Sequence, residues 1–251
     1  MSSYTASVKA LIYGRRHYVR KSTEPLLDRA LLVAMRETPD IQTNRILPFT
    51  TTEIGTLRNL CPQLKLLPVT PTMRKDDVLK QLKACKIFHF AGHGGSDPVE
   101  PSQSCLLLED WKTNPLTVGD LLSYRLQENS PFLAYLSACS TGANEVDVLI
   151  DEGIHLVNAF QLAAFRHVVG TLWEVSDMYC VDVARVLYET ISKEGMTDVA
   201  VCRGLHRAVR ALRDGNIKKD TDARDAKWIG SGNQTRGSTD LYWIPYVHYG
   251  I

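Results

Sequence analysis

Lys86-Ile87-Phe88-His89-Phe90-Ala91-Gly92-His93-Gly94-Gly95 is an apolar run that ends on a histidine bracketed by glycines. A short, continuous apolar run closed by glycine predicts a buried strand over 86–91. His89, inside that run, is expected to be a buried, hydrogen-bonded member of the sheet. His93 falls just past the strand core. There Gly92, Gly94 and Gly95 would permit positive φ and the close approach of a substrate backbone. A second run follows the same plan: residues 132–137 predict a strand that leads into Ala138-Cys139-Ser140-Thr141-Gly142.

Outward from these two runs the chain alternates. Strands are predicted over 30–35, 64–69, 105–109, 168–173 and 241–247. Helices are predicted from Thr51 or Thr52 to Asn59, over 76–83, and over 117–124, where Thr117 and Asp120 are spaced as a capping box. Three more are predicted: 153–165, one with Val181, Ala184, Leu187, Tyr188 and Ile191 in register, and one capped by Thr197 with Val201, Leu205, Ala208, Val209 and Leu212 on one side. Alternation with apolar strands means an α/β fold, a largely parallel central sheet with helices on both faces. Residues 1–27 are expected to be a helical lead-in and 28–251 a single domain, with a long polar loop over 214–240.

The chain has 251 residues, 44% of them hydrophobic, enough for one sizeable core. Its 29 Lys+Arg balance 28 Asp+Glu, which removes the electrostatic case for nucleic acid or an anionic membrane. No apolar run approaches the ~20 residues of a membrane span, and the polar N-terminus lacks a secretory signal pattern. Six scattered cysteines without a CxxC pair are expected to be reduced thiols, which suits a cytoplasmic protein.

In an open parallel sheet, ligands bind beyond the carboxyl ends of the strands. His93 and Cys139 both sit at such ends, and neighbouring strands would bring them together. Cysteine is an effective nucleophile near neutral pH, and an adjacent imidazole raises its thiolate fraction. The amides of Gly94 and Cys139 could then face the oxyanion of an acyl-transfer intermediate. His93 would protonate the leaving amine.

Phe88-His89-Phe90-Ala91-Gly92-His93-Gly94, followed by Leu136-Ser137-Ala138-Cys139-Ser140-Thr141-Gly142, resembles the paired motifs of the CHAT family. The resemblance continues through Asp151-Glu152-Gly153, Asn158-Ala159-Phe160, Val168 to Val175 and Trp243 to Gly250, and so spans about residues 28–250. These motifs are specific in combination and weak singly. The resemblance implies a caspase-hemoglobinase-like fold related to separase, with His93 as general base and acid and Cys139 as nucleophile. Relatives are often joined to tetratricopeptide repeats and act in defence and cell-death pathways. A regulated cytoplasmic protease acting on a protein substrate is expected by that analogy, with a tetratricopeptide-repeat or other regulatory partner.

Further candidates follow. Asp177 could line the pocket for the residue before the scissile bond, where in separase-like relatives an acid suits a basic residue, or could simply cap the next helix together with Ser176. Glu174, Ser137 and Trp173 are placed in the same pocket. Glu145, Asp147 and Asp151 read as a solvated acidic loop, a processing loop or part of that pocket. Ser140 is expected to satisfy local backbone groups, and Trp228 and Trp243 to be core or pocket-wall aromatics. His89 and His93 have HxxxH spacing, but on a strand and loop, without the zincin Glu, they do not suit a metal. No metal or organic cofactor is expected. The expected activity is a cysteine endopeptidase working through a thioester. The alternatives are a catalytically silent interaction module and a non-proteolytic acyl transferase such as a thioester hydrolase.

Overall fold

The computed structural model describes residues 4–6, 12, 28–41, 46–97, 99–124, 126, 131–140, 152–172, 175–215 and 243–250, without the side chains of 139, 140 and 152–155. Its elements run β1 (Arg29–Ala34), α1 (Thr50–Leu64), β2 (Leu67–Val69), α2 (Lys75–Leu82), β3 (Cys85–Gly95), β4 (Cys105–Leu106), β5 (Leu116–Thr117), α3 (Val118–Ser123), β6 (Leu133–Ser140), α4 (Glu152–Leu162), β7 (His167–Thr171), α5 (Asp177–Glu194), α6 (Asp198–Arg213) and β8 (Tyr246–Tyr249). The sheet order is β2-β1-β3-β6-β7-β8. All neighbours on this path are parallel except β7 and β8. This is the α/β architecture expected from the alternation.

Strand pleating splits the apolar residues between two layers. Leu32, Ile87, Ala91 and Tyr135 pack under α1, α5 and α6, through Ile54, Leu57, Leu187, Tyr188, Val201 and Leu205. Leu31, Val33, Phe88, Phe90 and Leu136 face the other way, against Val78 and Leu82 of α2, Leu121 of α3 and Phe160 of α4. β3 and β6 are therefore covered on both sides, which is why their sequences are almost continuously apolar.

Local signals held at several points. Thr117 and Asp120 form the reciprocal capping box of α3. Thr197 caps α6 by accepting the Ala200 N–H at 3.2 Å. Three expectations need correction. α1 does not stop near Asn59 but carries Pro62 in its last turn, ending where Lys65 turns left-handed. Its N-cap is Phe49, with no side-chain cap from a threonine. β3 continues through His93 to Gly95, and among the described glycines only Gly195 and Gly215 have positive φ. Gly92 is needed for space instead: a Cβ there would lie 2.8 Å from the Phe90 ring and 2.9 Å from Met35 Cβ. The lead-in over 1–27 and the loop over 214–240 lie largely outside the described residues. Of the lead-in, Tyr4 makes a parallel bridge with Tyr249 at the β8 edge.

Candidate active site

β3 and β6 pair in parallel at the centre of the sheet, in a register that sets His93 directly opposite Cys139 and Gly94 opposite Ser140. Both positions lie at the carboxyl ends of their strands. β3 is held from its other side by the antiparallel β4, through Gly94 and Gly95, and the Leu107 N–H donates to the His93 carbonyl at 3.0 Å. The His93 backbone is thus fixed from two directions, and its side chain is 3% exposed. By alternation His89, Ala91 and His93 share one face of β3, and positions 135, 137 and 139 of β6 share that same face of the sheet.

α1 and α5 close over that face. Asp177, in the first turn of α5, is half-buried, and its Oδ2 accepts the Phe49 N–H at 2.9 Å. That bond joins the N-termini of α1 and α5. Burial raises the proton affinity of the Asp177 carboxyl, while the Phe49 amide and, more weakly, the nearby His93 favour its charged form. Ser176 occupies the N-cap position of α5 but makes no side-chain cap bond.

Deeper on the same face lies a group that sequence reasoning missed. Glu53 is fully buried, and its Oε1 is 3.0 Å from His89 Nε2. His89 Nδ1 lies 2.7 Å from the Tyr188 hydroxyl, and its ring packs on Tyr135 with centroids 4.7 Å apart. Burial raises the Glu53 proton affinity; His89 and the Ser137 hydroxyl oppose that rise. Both His89 nitrogens face protein partners, so the HxxxH pair is not a metal clamp. A signal for Glu53 existed: Thr50, Ile54, Leu57, Cys61 and Leu64 form the buried stripe of α1, and Glu53 falls inside it.

A cysteine–histidine contact occurs elsewhere in the fold. Cys202 Sγ is 3.7 Å from His248 Nδ1, His248 Nε2 is 3.0 Å from His167 Nδ1, and His167 Nε2 is 2.8 Å from Asp198 Oδ1. Arg166 holds Asp198 through two 2.6 Å bonds. Burial pushes His248 down to about 3 and lowers His167 as well. Two neutral rings and an ionised Asp198 fix the donor order: Cys202 S–H to His248, His248 to His167, His167 to Asp198. An imidazole held neutral to about 3 is a poor base near pH 7, and this chain of contacts ties β7, β8 and α6 together.

The expected site residues distribute as follows. His93 and Cys139 come together by register, with Ser137 on the same face and Asp177 beside His93. Ser137 is buried toward Glu53. Trp173, Glu174, Glu145, Asp147, Asp151 and Trp228 lie outside the described residues, as do the Cys139 and Ser140 side chains; Trp243 packs partly buried against the core.

Two solved structures share this architecture. One is the Arg-specific cysteine proteinase gingipain R, with a TM-score of 0.51 and 12% identity over 98% of this chain. The other is the complex of the pro- and mature domains of Porphyromonas gingivalis RgpB, with a TM-score of 0.50 and 12% identity, again over 98% of this chain. The chain spans about half of each, 48% and 49%. A likeness at this identity establishes the fold alone, a caspase-hemoglobinase-like α/β fold. No curated protein sequence matches the chain. The CHAT domain family model matches residues 2–250, and the chain belongs to the CHAT domain family.

Proposed function

We propose that the chain is a cysteine endopeptidase with Cys139 as nucleophile and His93 as its general base and acid. The observation that carries this reading is the register opposing the two residues at the ends of the central parallel strands, in a fold shared with cysteine proteinases. The Cys139 thiolate adds to the scissile carbonyl carbon, whose oxygen becomes an oxyanion. The imidazolium of His93 gives its proton to the leaving nitrogen as the C–N bond breaks, leaving a thioester. His93 then takes a proton from water, whose oxygen displaces the thiolate and frees the acid.

Asp177 contributes negative charge beside His93, and we assign it a preference for a basic residue before the scissile bond, with Glu174, Ser137 and Trp173 as further pocket residues. Its anchoring by the Phe49 amide supports this by fixing the carboxylate at the mouth between two helix N-termini. A protein substrate, a regulatory partner such as a tetratricopeptide-repeat protein, a cytoplasmic setting and a role in defence or cell-death signalling complete the proposal. For the described residues, no helix is long and apolar enough to cross a membrane.

A positional library of fluorogenic peptides tests it. Cleavage that Cys139→Ala abolishes, with a preference for Arg or Lys that Asp177→Ala removes, is the expected result. Cleavage that survives Cys139→Ala would refute the assignment.

A further inference from the structure

A carboxylic acid in the middle of an apolar helix stripe needs a reason. Leaving a buried carboxyl imperfectly paired costs several kcal/mol, and an apolar side chain would pack at that position of α1 without the cost. Glu53 nevertheless reaches every element that carries the proposed dyad. It meets β3 through His89, four residues before His93 on the same face. It meets β6 through the His89 ring, which packs on Tyr135, four residues before Cys139, with centroids 4.7 Å apart. It meets α5 through the His89–Tyr188 contact and lies in the field of Asp177, which itself faces His93. One of its oxygens, Oε2, has no hydrogen bond of good geometry although it is buried. Tyr135, Tyr188 and Tyr246 also lie in its field, and burial raises their hydroxyls well above the ordinary value and keeps them neutral.

We infer that Glu53 is a positioning residue for the dyad: through His89, which packs on Tyr135, it aligns the ends of β3 and β6, so that His93 meets Cys139. The inference rests on the peptidase reading of those two residues. Glu53 touches neither the substrate nor the reacting atoms. It acts on His93 and Cys139 through the strands that bear them.

The test is the rate of iodoacetamide labelling of each cysteine, read by mass spectrometry, in a double-mutant cycle with His93→Ala. Glu53→Leu should slow Cys139 labelling at least tenfold. Glu53→Gln, which can still bond to His89, should restore it to within about threefold of the parent. In the His93→Ala background both substitutions should change the Cys139 rate less than twofold, because their effect passes through His93. A purely structural role would instead leave the slowing undiminished in that background, and that result overturns the inference. So does a Glu53→Leu protein that labels at the parental rate. If Glu53→Leu opens the core, rapid labelling of the buried Cys61, Cys85 and Cys105 will reveal it. Glu53→Asp, one methylene short of His89, then carries the same prediction and the same refutation. Should His93→Ala alone leave Cys139 unchanged, the peptidase reading fails first, and the inference falls with it.

Discussion

The Phe49 amide donates to Asp177 Oδ2 at 2.9 Å, so a carboxylate that interacts with His93 is held by the N-terminus of a helix distant in sequence. Two helices that cover the same face of the sheet are thereby fixed against each other where the dyad is proposed to sit. Asp177 is costly to bury in its charged form.

Asp177→Asn separates those two effects. The amide oxygen still accepts from Phe49, and the buried charge is gone. Burial raises the Asp177 carboxyl above its ordinary value, so at pH 7 the native protein bears the cost of an ionised buried acid. The variant should melt at the same temperature or a few degrees higher at pH 7. That difference should vanish as pH falls below the folded-state value, where the parent is protonated too. Cys139 labelling at pH 7 should fall, since a negative charge that interacts with the proposed dyad is removed. A lower melting temperature with unchanged labelling would contradict this account.

Acid should unfold the protein through the opposite edge of the sheet. His248 is pushed from 6.5 down to about 3 and His167 is lowered too, so the unfolded chain binds protons first as pH falls through 6.5. Each histidine then costs up to about 1.4 kcal/mol of stability per pH unit until its folded-state value is reached. Asp198, held well below the usual carboxylate range by Arg166 and His167, adds a further loss at lower pH. Urea denaturation at pH 7, 6, 5 and 4 should show a steady decline that His248→Gln makes shallower. A flat profile in the parent would show that the two rings are not held neutral.

Gly92→Ala should both destabilise the protein and damage the site. Its Cβ would meet the Phe90 ring and Met35 Cβ, and Met35 Cβ lies too close to its own backbone to move cheaply. A cost of about 1–3 kcal/mol is expected for such overpacking. In a chain of this size that corresponds to a fall of several degrees in melting temperature. Because Gly92 precedes His93, Cys139 labelling should slow as well. Calorimetry and labelling of the same sample would check both.

The two apolar runs that end at His93 and Cys139 were legible because buried parallel strands have a plain sequence signature, and because strand ends are where an open sheet exposes side chains. The direct opposition of the pair was not legible, since register depends on pairing across the sheet. The glycines were misread for a related reason. Gly92 looks like a turn residue in one dimension, and only the Phe90 and Met35 side chains folded against it show that it is there for space. Glu53 was passed over because a single acid in a helix reads as a solvated face until its neighbours at 50, 54 and 57 are known to be buried. The His248–His167–Asp198 chain joins residues far apart in sequence, and no local pattern announces it.

The most direct measurement is the pH dependence of iodoacetamide labelling at each cysteine in the parent and in His93→Ala. Burial pushes the Cys61 and Cys105 thiols up to about 11 and Cys85 to about 12, so near neutral pH these three should be almost inert. Cys139 should label at least tenfold faster than any other cysteine between pH 6 and 7. His93→Ala should move its profile toward that of an ordinary thiol near 8.5. Identical Cys139 profiles with and without the His93 imidazole would contradict the account.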